Sequence, residues 1–486
     1  MKKKNKNRTL FCFTPDIARD MKLIELDKEA YNIVCNWYKI IEFNPFYYGI
    51  DFSQIIRFYL WDKVGRALRI TNNIDFNEAE SYIKNRSSSS FYYTPVNSNG
   101  KYRKSFFSRK KSIFVPFQSH YTDLLVEKLK LKDFIVFSKT TSKLIQSKEV
   151  VKGLNYRCDN REIDEFYNGL MKALRLMNIE LIQEDTKLLK VEIEGSFKIT
   201  ALAKKELEYY KPDGVFVHSD NHPPFINYVL VAKALNIPSF TYQHGLDCEH
   251  YFLDDCFADY VGLWSKNRRI KYETSSKIQP KKYKVIGNYF LPETFKIRKR
   301  EKSICKKLIF ITRPHKPVKC YSPSRNYLEG VSILKSILEY LVSSKSIKLV
   351  IKPHPMDDCV LYKNLITEFD LDDRVAIVTH KVAHIIHDID LVITEDSTAG
   401  VEALMYGLPV VHAHFASSEP VLPFLNYGAA FSGNDPEELK DSINKGLNLS
   451  LKEKQLMNIG QKKMMADFIP NGEVKELVQF ISENVL

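Results

Sequence analysis

The stretch of residues 390–411 constrains the fold more than any other part of the chain. It opens with the apolar run 391–393, which is typical of a buried parallel strand, and continues with a polar turn at residues 394–398. Small and apolar residues at helical spacing come next, until Gly407 and Pro409 end the helix and another strand begins. The stretch therefore predicts a strand–turn–helix–strand unit of an α/β protein.

The polar turn places Ser397 and Thr398 at the predicted helix N-terminus. Free backbone N–H groups and the helix dipole at such an end favour an anion such as a diphosphate. The alternative is that either hydroxyl serves only as the N-cap of the helix.

Two earlier apolar runs, residues 307–312 and 349–351, also lead into basic loops stiffened by proline. The residues of these loops that we expect at a phosphate are Arg313, Lys316, Lys352, His354 and Pro355. The carboxyl ends of parallel strands form the edge of a sheet where ligands bind. Together with the polar turn, these strand ends predict a phosphate-binding pocket.

Residues 305–440 resemble the C-terminal, donor-binding half of a GT-B glycosyltransferase. The resemblance is nearest to bacterial capsule and surface polysaccharide transferases, including the Kdo and polysialic acid enzymes, and the teichoic acid glycerophosphotransferases carry a similar pattern. Those families place a His-Pro motif and a later Ser/Thr motif against the nucleotide phosphates, which matches His354-Pro355 and Ser397-Thr398. Residues 396–402 also resemble the nucleotide loop of non-hydrolysing UDP-N-acetylglucosamine 2-epimerases, where a carboxylate at the position of Glu402 binds ribose.

This resemblance implies an α/β fold of the GT-B type, with two Rossmann-like domains facing across a cleft. A chain of 486 residues is long enough for two or three domains. We expect residues 1–292 to bind the acceptor and to carry a basic-aromatic insertion near residues 86–112. Residues 303–470 are expected to bind the nucleotide sugar, and a helix at residues 471–486 to pack back on the first domain.

The candidate base lies in the first half of the chain. A predicted strand at residues 237–242 ends in Gln243-His244-Gly245, and this Gln-His-Gly sequence recurs in the polysaccharide transferases. The resemblance implies that His244 contacts sugar hydroxyls or accepts the acceptor's proton, with a buried structural histidine as the alternative. Asp220, at a neighbouring predicted strand end, is a competing base. Asp16, in the first loop, is a third candidate, with a turn-forming or N-capping role as its alternative.

Residues 101–111 interleave cations with aromatic rings, and Lys101 and Arg103 are expected, with Gln243, to contact the acceptor. Such a composition suits a lipid-diphosphate acceptor, an anionic glycan or a membrane surface. The alternative is a solvated loop without a binding role.

The charge balance favours anionic partners. With 72 basic and 59 acidic residues the net charge is +13, which suits nucleotide phosphates, anionic lipid or an acidic polymer. No helix-turn-helix, zinc-finger or RNA-recognition motif is present, so we expect no nucleic-acid partner. The eight dispersed cysteines form no Cys-x-x-Cys pair, and no carboxylate or histidine set has metal-ligand spacing. We therefore expect reduced thiols, no metal and no cofactor, in a cytoplasmic protein that touches the inner membrane face.

The predicted activity is the transfer of a sugar from a nucleotide-activated donor to a surface polysaccharide or a lipid-linked glycan. The His-Pro and Ser/Thr pairing favours a CMP- or CDP-linked donor over a UDP-linked one. The alternatives are glycerophosphate transfer from CDP-glycerol, non-hydrolysing epimerisation of a nucleotide sugar, and a non-catalytic GT-B-like binding protein.

Overall fold

The chain forms two compact units. We call them the N-terminal unit, mainly Glu25–Pro292 with Asp467–Leu486, and the C-terminal unit, which covers most of Glu293–Val318 and Pro323–Ala466. The computed structural model describes residues 17–74, 110–140, 159–243, 245, 257–275, 279–291, 305–313, 327–354, 357, 359–416, 420 and 422–485.

The N-terminal unit contains a six-stranded parallel sheet in the order β4-β3-β5-β6-β7-β8. Its strands are β3 (Ser112–Gln118), β4 (Ile135–Thr140), β5 (Gly214–Val217), β6 (Ser239–Tyr242), β7 (Tyr260–Leu263) and β8 (Lys282–Val285), and a separate antiparallel hairpin is formed by β1 (Phe46–Tyr47) and β2 (Ile50–Asp51). The order in which successive strands are added to this sheet reverses between β3 and β5. The carboxyl ends of these two strands therefore form a switch point of the kind at which α/β proteins bind ligands.

Long helices cover this sheet, and their mutual packing includes buried charges. They are α1 (Ile17–Ile40), α2 (Phe52–Thr71), α3 (Asp123–Leu131), α4 (Asn160–Leu176), α5 (Gln183–Tyr210), α6 (Phe225–Ala234) and α7 (Lys266–Ser275). Arg66 of α2 donates to Asp185 of α5 at 2.6 Å, and Arg69 donates to Asp27 of α1 at 3.2 Å. Because removing one partner of a buried pair leaves an uncompensated charge, these pairs fix how α1, α2 and α5 pack together.

The C-terminal unit contains a second six-stranded parallel sheet, in the order β11-β10-β9-β12-β13-β14. Its strands are β9 (Lys306–Ile311), β10 (Ile347–Lys352), β11 (Val375–Ile377), β12 (Leu391–Thr394), β13 (Val410–Ala413) and β14 (Phe431–Gly433). This is the order of a doubly wound Rossmann sheet, with the switch point between β9 and β12. Leu308 pairs with both Leu349 and Leu391, so the apolar runs read from the sequence lie side by side in the core.

Helices follow each strand of this sheet. They are α8 (Tyr327–Ser343), α9 (Cys359–Glu368), α10 (Val382–Ile385), α11 (Thr398–Ala403), α12 (Pro436–Leu447) and α13 (Leu451–Phe468), with 3-10 turns at Ile386–Asp388 and Leu404–Tyr406. The last helix of the chain, α14 (Val474–Asn484), belongs to the N-terminal unit. Asp435 caps α12 by accepting hydrogen bonds from the Glu437 and Glu438 amides at 2.9 and 2.8 Å.

The last helix, α14, packs in the N-terminal unit. Asn288 pairs with Asn471 in an isolated parallel bridge, and Gly287, at φ +82°, leaves room for the Asn471 carbonyl, which a Cβ would meet at 2.4 Å. Phe480 of α14 lies edge-on to Tyr260 of β7, with ring centroids 6.0 Å apart. The final segment therefore completes the packing of β7 and β8.

The prediction of two Rossmann-like α/β domains is confirmed, because both sheets are parallel and interleaved with helices. The predicted unit at residues 390–411 is present as β12, α11 and β13, and its helix ends at Gly407 in the left-handed region, φ +60°. Of the helices in the described ranges, none is both long enough and apolar enough to cross a membrane.

Candidate functional site

The phosphate-site residues read from the sequence gather at the switch point of the C-terminal sheet. Strands β9 and β12 are neighbours there, and β10 lies on the other side of β9. Arg313 follows β9, Lys352 ends β10, and Ser397 follows β12. Three loops that are far apart in sequence thus leave adjacent strands at one edge.

A single carboxylate ties the loops after β9 and β10 together. Asp357 Oδ2 accepts hydrogen bonds from Thr312 Oγ1 at 2.6 Å, the His354 backbone amide at 3.0 Å and the Tyr362 hydroxyl at 2.6 Å. The His354 amide also donates to Thr312 Oγ1, at 3.0 Å. The Tyr362 side chain is fully buried. The backbone at His354 is therefore held by a network anchored in the core, beyond the stiffness that proline gives.

A second carboxylate joins the loops after β9 and β12. The Arg313 amide donates to Glu395 Oε2 at 2.7 Å, and the Glu395 amide donates to the Ile311 carbonyl at 3.3 Å. Glu395 is fully buried. Its side chain is thus used to position the backbone that carries Arg313.

Lys352 and Glu402 lie close enough to influence each other's ionisation. Burial lowers the pKa of the half-buried Lys352 amine, and the charges of Glu402 and Asp357 oppose that change. Burial likewise raises the pKa of the Glu402 carboxyl, against the opposing effect of Lys352 and Lys381. A lysine in partly dehydrated surroundings attracts a phosphate more strongly than a fully solvated one does.

Ser397 occupies the N-cap position of α11 with extended backbone angles, yet its side chain makes no capping hydrogen bond. Ser397 therefore lies at the N-cap position that was the alternative prediction, but its hydroxyl does not contribute a capping bond. Helix α11 has only six residues before the 3-10 turn, so its dipole contributes less to anion binding than the sequence pattern suggested. Gly400 allows α11 to approach β12, since a Cβ there would lie 2.1 Å from Thr394 Oγ1.

Sequence reasoning missed a buried histidine–carboxylate cluster directly behind this turn. Asp396 Oδ1 lies 3.0 Å from His412 Nε2 and accepts the Leu422 amide at 3.1 Å. His414 Nδ1 lies 3.8 Å from both Asp396 Oδ2 and Glu329 Oε1. The available signal was the spacing of two between His412, in β13, and His414, directly after it, because residues two apart in extended chain lie on one face. The cluster locks the turn of Asp396 against β13 and the segment that holds Leu422.

In the N-terminal unit, two of the predicted site residues, Asp220 and Gln243, make hydrogen bonds that position neighbouring backbone. Asp220 Oδ2 accepts the Phe257 and Ala258 amides at 2.9 and 2.8 Å, and burial raises the pKa of this carboxyl to about 6. Gln243 accepts the Trp264 amide at 2.9 Å through its Oε1 and donates to the Gly245 carbonyl at 2.9 Å through its Nε2. Both side chains shape the loops that leave β5 and β6.

Aromatic rings line the same edge of the N-terminal sheet. Tyr121, after β3, stacks on His218, after β5, with ring centroids 5.5 Å apart. Tyr242, at the end of β6, stacks on Tyr289 at 4.6 Å. Ring faces at the switch point between β3 and β5 suit a ligand with an apolar face.

Six of the predicted site residues lie outside the described residues: Asp16, Lys101, Arg103, His244, Lys316 and Pro355. Those described in the C-terminal unit are Arg313, Lys352, His354, Ser397, Thr398 and Glu402, which lie at a strand end, in the loops or on α11 at the switch-point edge of its sheet. No group of three or more histidine, cysteine or acidic side chains within the described ranges is arranged to hold a metal ion.

Residues 324–416 match the family of capsule polysaccharide biosynthesis proteins. The matched segment contains β10, β12 and β13 and most of the site residues described above. The resemblance to capsule polysaccharide transferases inferred from the sequence is confirmed for this segment. No curated protein matches the chain in sequence.

Several solved structures align with most of the chain. The MnaA protein of S. aureus, solved with UDP, aligns at 15% identity with a TM-score of 0.49, over 77% of this chain and 98% of that one. The UDP-GlcNAc 2-epimerase of Neisseria meningitidis, bound to UDP-GlcNAc, aligns at 14% with a TM-score of 0.46, over 77% and 100%. A glycosyltransferase from Rickettsia africae aligns at 13% with a TM-score of 0.46, over 77% and 98%.

Proposed function

We propose that this protein is a glycosyltransferase of surface polysaccharide synthesis. It transfers a sugar from a nucleotide-activated donor to a glycan or a lipid-linked glycan on the cytoplasmic side of the membrane. The observation that carries the proposal is the switch-point edge of the C-terminal sheet, where Arg313, Lys352 and His354 lie at the ends of adjacent strands and carboxylates hold the backbone amides of Arg313 and His354. The match of residues 324–416 to capsule polysaccharide biosynthesis proteins supports it.

The donor's phosphates bind at this edge. Arg313, Lys352 and His354, with Lys316, contact the phosphate oxygens on which negative charge develops as the glycosidic bond breaks. Because the carboxylates of Asp357 and Glu395 hold the backbone of these loops before any ligand arrives, little reorganisation is needed during the reaction. Preorganised positive charge that meets the leaving group lowers the barrier to bond cleavage.

The rest of the donor site lies on the turn after β12. The Ser397 hydroxyl makes no capping bond and donates to a phosphate, with Thr398 beside it. Glu402, one turn along α11, accepts the ribose hydroxyls and keeps Lys352 protonated through its charge. We favour a cytidine-activated donor over a UDP-activated one, and a CDP-glycerol donor is the alternative for the same phosphate contacts.

The acceptor binds to the N-terminal unit. His244 takes the proton of the attacking hydroxyl, and Gln243 holds its loop through the bonds to Trp264 and Gly245. Asp220 uses its carboxylate to fix the backbone at residues 257–258. Lys101 and Arg103 contact the acceptor's anionic groups.

A thermal-shift titration of the full chain with CMP, CDP, UDP and GDP tests the donor site. A ligand that binds only the folded state raises the melting temperature by mass action, and a concentration of 100 Kd corresponds to about 2.7 kcal/mol. We expect one nucleotide to stabilise the wild type, and Lys352→Met and His354→Ala to abolish this shift. Lys348→Met is the matched control, because it removes the same charge from an exposed position of β10.

Transfer is then measured with the matching nucleotide sugar. Release of free nucleotide that depends on added glycan acceptor supports a transferase, whereas interconversion of the sugar without an acceptor indicates an epimerase. If none of the four nucleotides stabilises the wild type at millimolar concentration, the donor-site assignment is wrong, and a non-catalytic binding protein takes its place.

A further inference from the structure

Helix α13 is apolar on two opposite faces. Its inner face is buried and includes Met457, Gly460, Gln461 and Met464. On the other side, Leu456 is 59% exposed and Ile459 is 64% exposed. A helix of the surface of a soluble domain normally has one apolar face only, so the outer one needs an explanation.

The exposed face is a continuous stripe with a lysine at each end. Lys452, Leu456, Ile459 and Lys463 follow at spacings of four, three and four residues, and all four are exposed. These spacings place the side chains in one row, about 16 Å long at 1.5 Å per residue. We call these four residues the α13 stripe. To one side of the stripe, the helix surface also carries Lys462 and Leu451, which is 75% exposed.

The helix cannot rotate to hide the α13 stripe. Gly460 packs against the loop at residues 427–428 so closely that a Cβ would lie 2.2 Å from the Tyr427 carbonyl oxygen. Gln461, fully buried, donates to the Leu408 and Ala429 carbonyls at 2.8 and 3.3 Å. The stripe is therefore a fixed feature of the surface.

The charge around the stripe is positive. Glu453 is the acidic residue nearest in sequence to its start, and this carboxylate is engaged with Ser450, whose amide and hydroxyl donate to it at 3.0 and 2.7 Å. The whole chain carries a net charge of +13. A narrow aliphatic row between lysines offers far less than the roughly 800 Å² per partner of a stable protein interface. It suits partial insertion among lipid headgroups, where aliphatic side chains enter the acyl boundary and lysines meet anionic lipid.

We propose that the α13 stripe docks the protein on an anionic lipid bilayer, with Leu456 and Ile459 inserted and Lys452 and Lys463 at the headgroups. This inference goes beyond the proposed transferase activity and stands without it, because none of the four residues belongs to the donor or acceptor site.

Co-sedimentation of the full chain with vesicles tests the proposal. Vesicles of phosphatidylcholine with phosphatidylglycerol are compared with vesicles of phosphatidylcholine alone at physiological salt. The wild type is expected to bind the first and not the second. Lys452→Gln/Lys463→Gln weakens binding about 30-fold, since each lysine near an anionic surface contributes about fivefold. Leu456→Ser/Ile459→Ser weakens it at least about tenfold, because two aliphatic side chains no longer leave water.

Lys172→Gln/Leu176→Ser is the matched control. These two residues are exposed on α4 at a spacing of four, with Leu176 60% exposed, and their replacement is expected to leave vesicle binding unchanged. The nucleotide-induced thermal shift is measured on all variants and should be equal in each. Its absence from the wild type would count against the donor site alone and not against the stripe.

Three results would overturn the proposal. One is that the wild type does not sediment with anionic vesicles. Another is that both α13 variants bind as the wild type does, which would assign membrane contact to other residues. The third is that the wild type does not bind vesicles but is a dimer by sedimentation velocity, whereas the Leu456→Ser/Ile459→Ser variant is a monomer. That result would make the stripe an interface between two copies of the chain.

Discussion

Replacing Asp220 with asparagine is expected to stabilise the N-terminal unit near neutral pH. The carboxylate is buried and accepts two backbone amides, yet burial raises its pKa from 3.8 to about 6. The folded state therefore holds the proton more tightly than the unfolded state does. Stability is full below about pH 3.8 and falls as the pH rises through about 6, because the ionised carboxylate is then buried.

The expected magnitude follows from this difference. About 2 pH units at 1.36 kcal/mol each give about 3 kcal/mol of stability lost on ionisation. An asparagine has the shape of the protonated acid and can still accept from Phe257 and Ala258 through its carbonyl oxygen. Asp220→Asn should therefore match the wild type near pH 4 and exceed its free energy of unfolding by up to about 3 kcal/mol above pH 6.

Urea unfolding followed by tryptophan fluorescence measures this difference in the relevant unit. The chain has three tryptophans, Trp37, Trp61 and Trp264, and all lie in the N-terminal unit. Asp133→Asn is the control, because the Asp133 side chain is 83% exposed and the same replacement there removes a carboxylate from the surface of this unit and not from its core. Parallel pH profiles of wild type and Asp220→Asn would refute the reasoning. A loss of transfer activity by a factor of about 100 or more would instead identify Asp220 as the base.

Further predictions concern the C-terminal unit and one helix of the N-terminal unit. Gly400→Ala should lower the melting temperature and weaken nucleotide binding, because its Cβ would lie 2.1 Å from Thr394 Oγ1. Gly195→Ala is the comparison, because its added Cβ would have no atom within 4 Å outside the helix's own backbone. Calorimetry should find the stability of Gly195→Ala unchanged or higher by up to about 1 kcal/mol. An equal Tm change in both variants would contradict this. Nucleotide affinity should be lost at high pH as Lys352 deprotonates, and Glu402→Gln should move this loss to lower pH, since the Glu402 charge raises the pKa of Lys352. Calorimetric titration with nucleotide across pH measures the shift. An unshifted profile would show that the two groups do not interact.

The centre of the C-terminal sheet could be predicted from sequence because its central strands are short apolar runs ending in Gly, Pro or polar residues. Residues 391–393, 349–351 and 307–311 belong to β12, β10 and β9, and the register pairs Leu308 with both Leu349 and Leu391. Parallel strands buried on both faces have this continuous apolar signature.

The interactions that hold the site could not be predicted in the same way. Asp357 binds Thr312 and Tyr362 across the edge of the sheet, and nothing in the local sequence marks this aspartate among its neighbours. The pairing of Asp396 with His412 depends on how β12 lies against β13, which is a tertiary relation. The role of Asp220 shows the same limit, since the amides that it accepts are 37 and 38 residues away.

The contacts of α14 impose an order on biosynthesis. The ring of Phe480 covers Tyr260, and Asn471 pairs with Asn288, although the C-terminal unit is synthesised between these partners. The N-terminal unit emerges from the ribosome first but cannot complete its packing until α14 has been synthesised. At 5–20 residues per second, the roughly 190 residues between 292 and 480 leave one flank of its sheet open for about 10–40 s. During that interval the growing chain exposes a surface that chaperones can bind. A chain truncated before α14 would contain an N-terminal unit whose sheet stays uncovered on that flank.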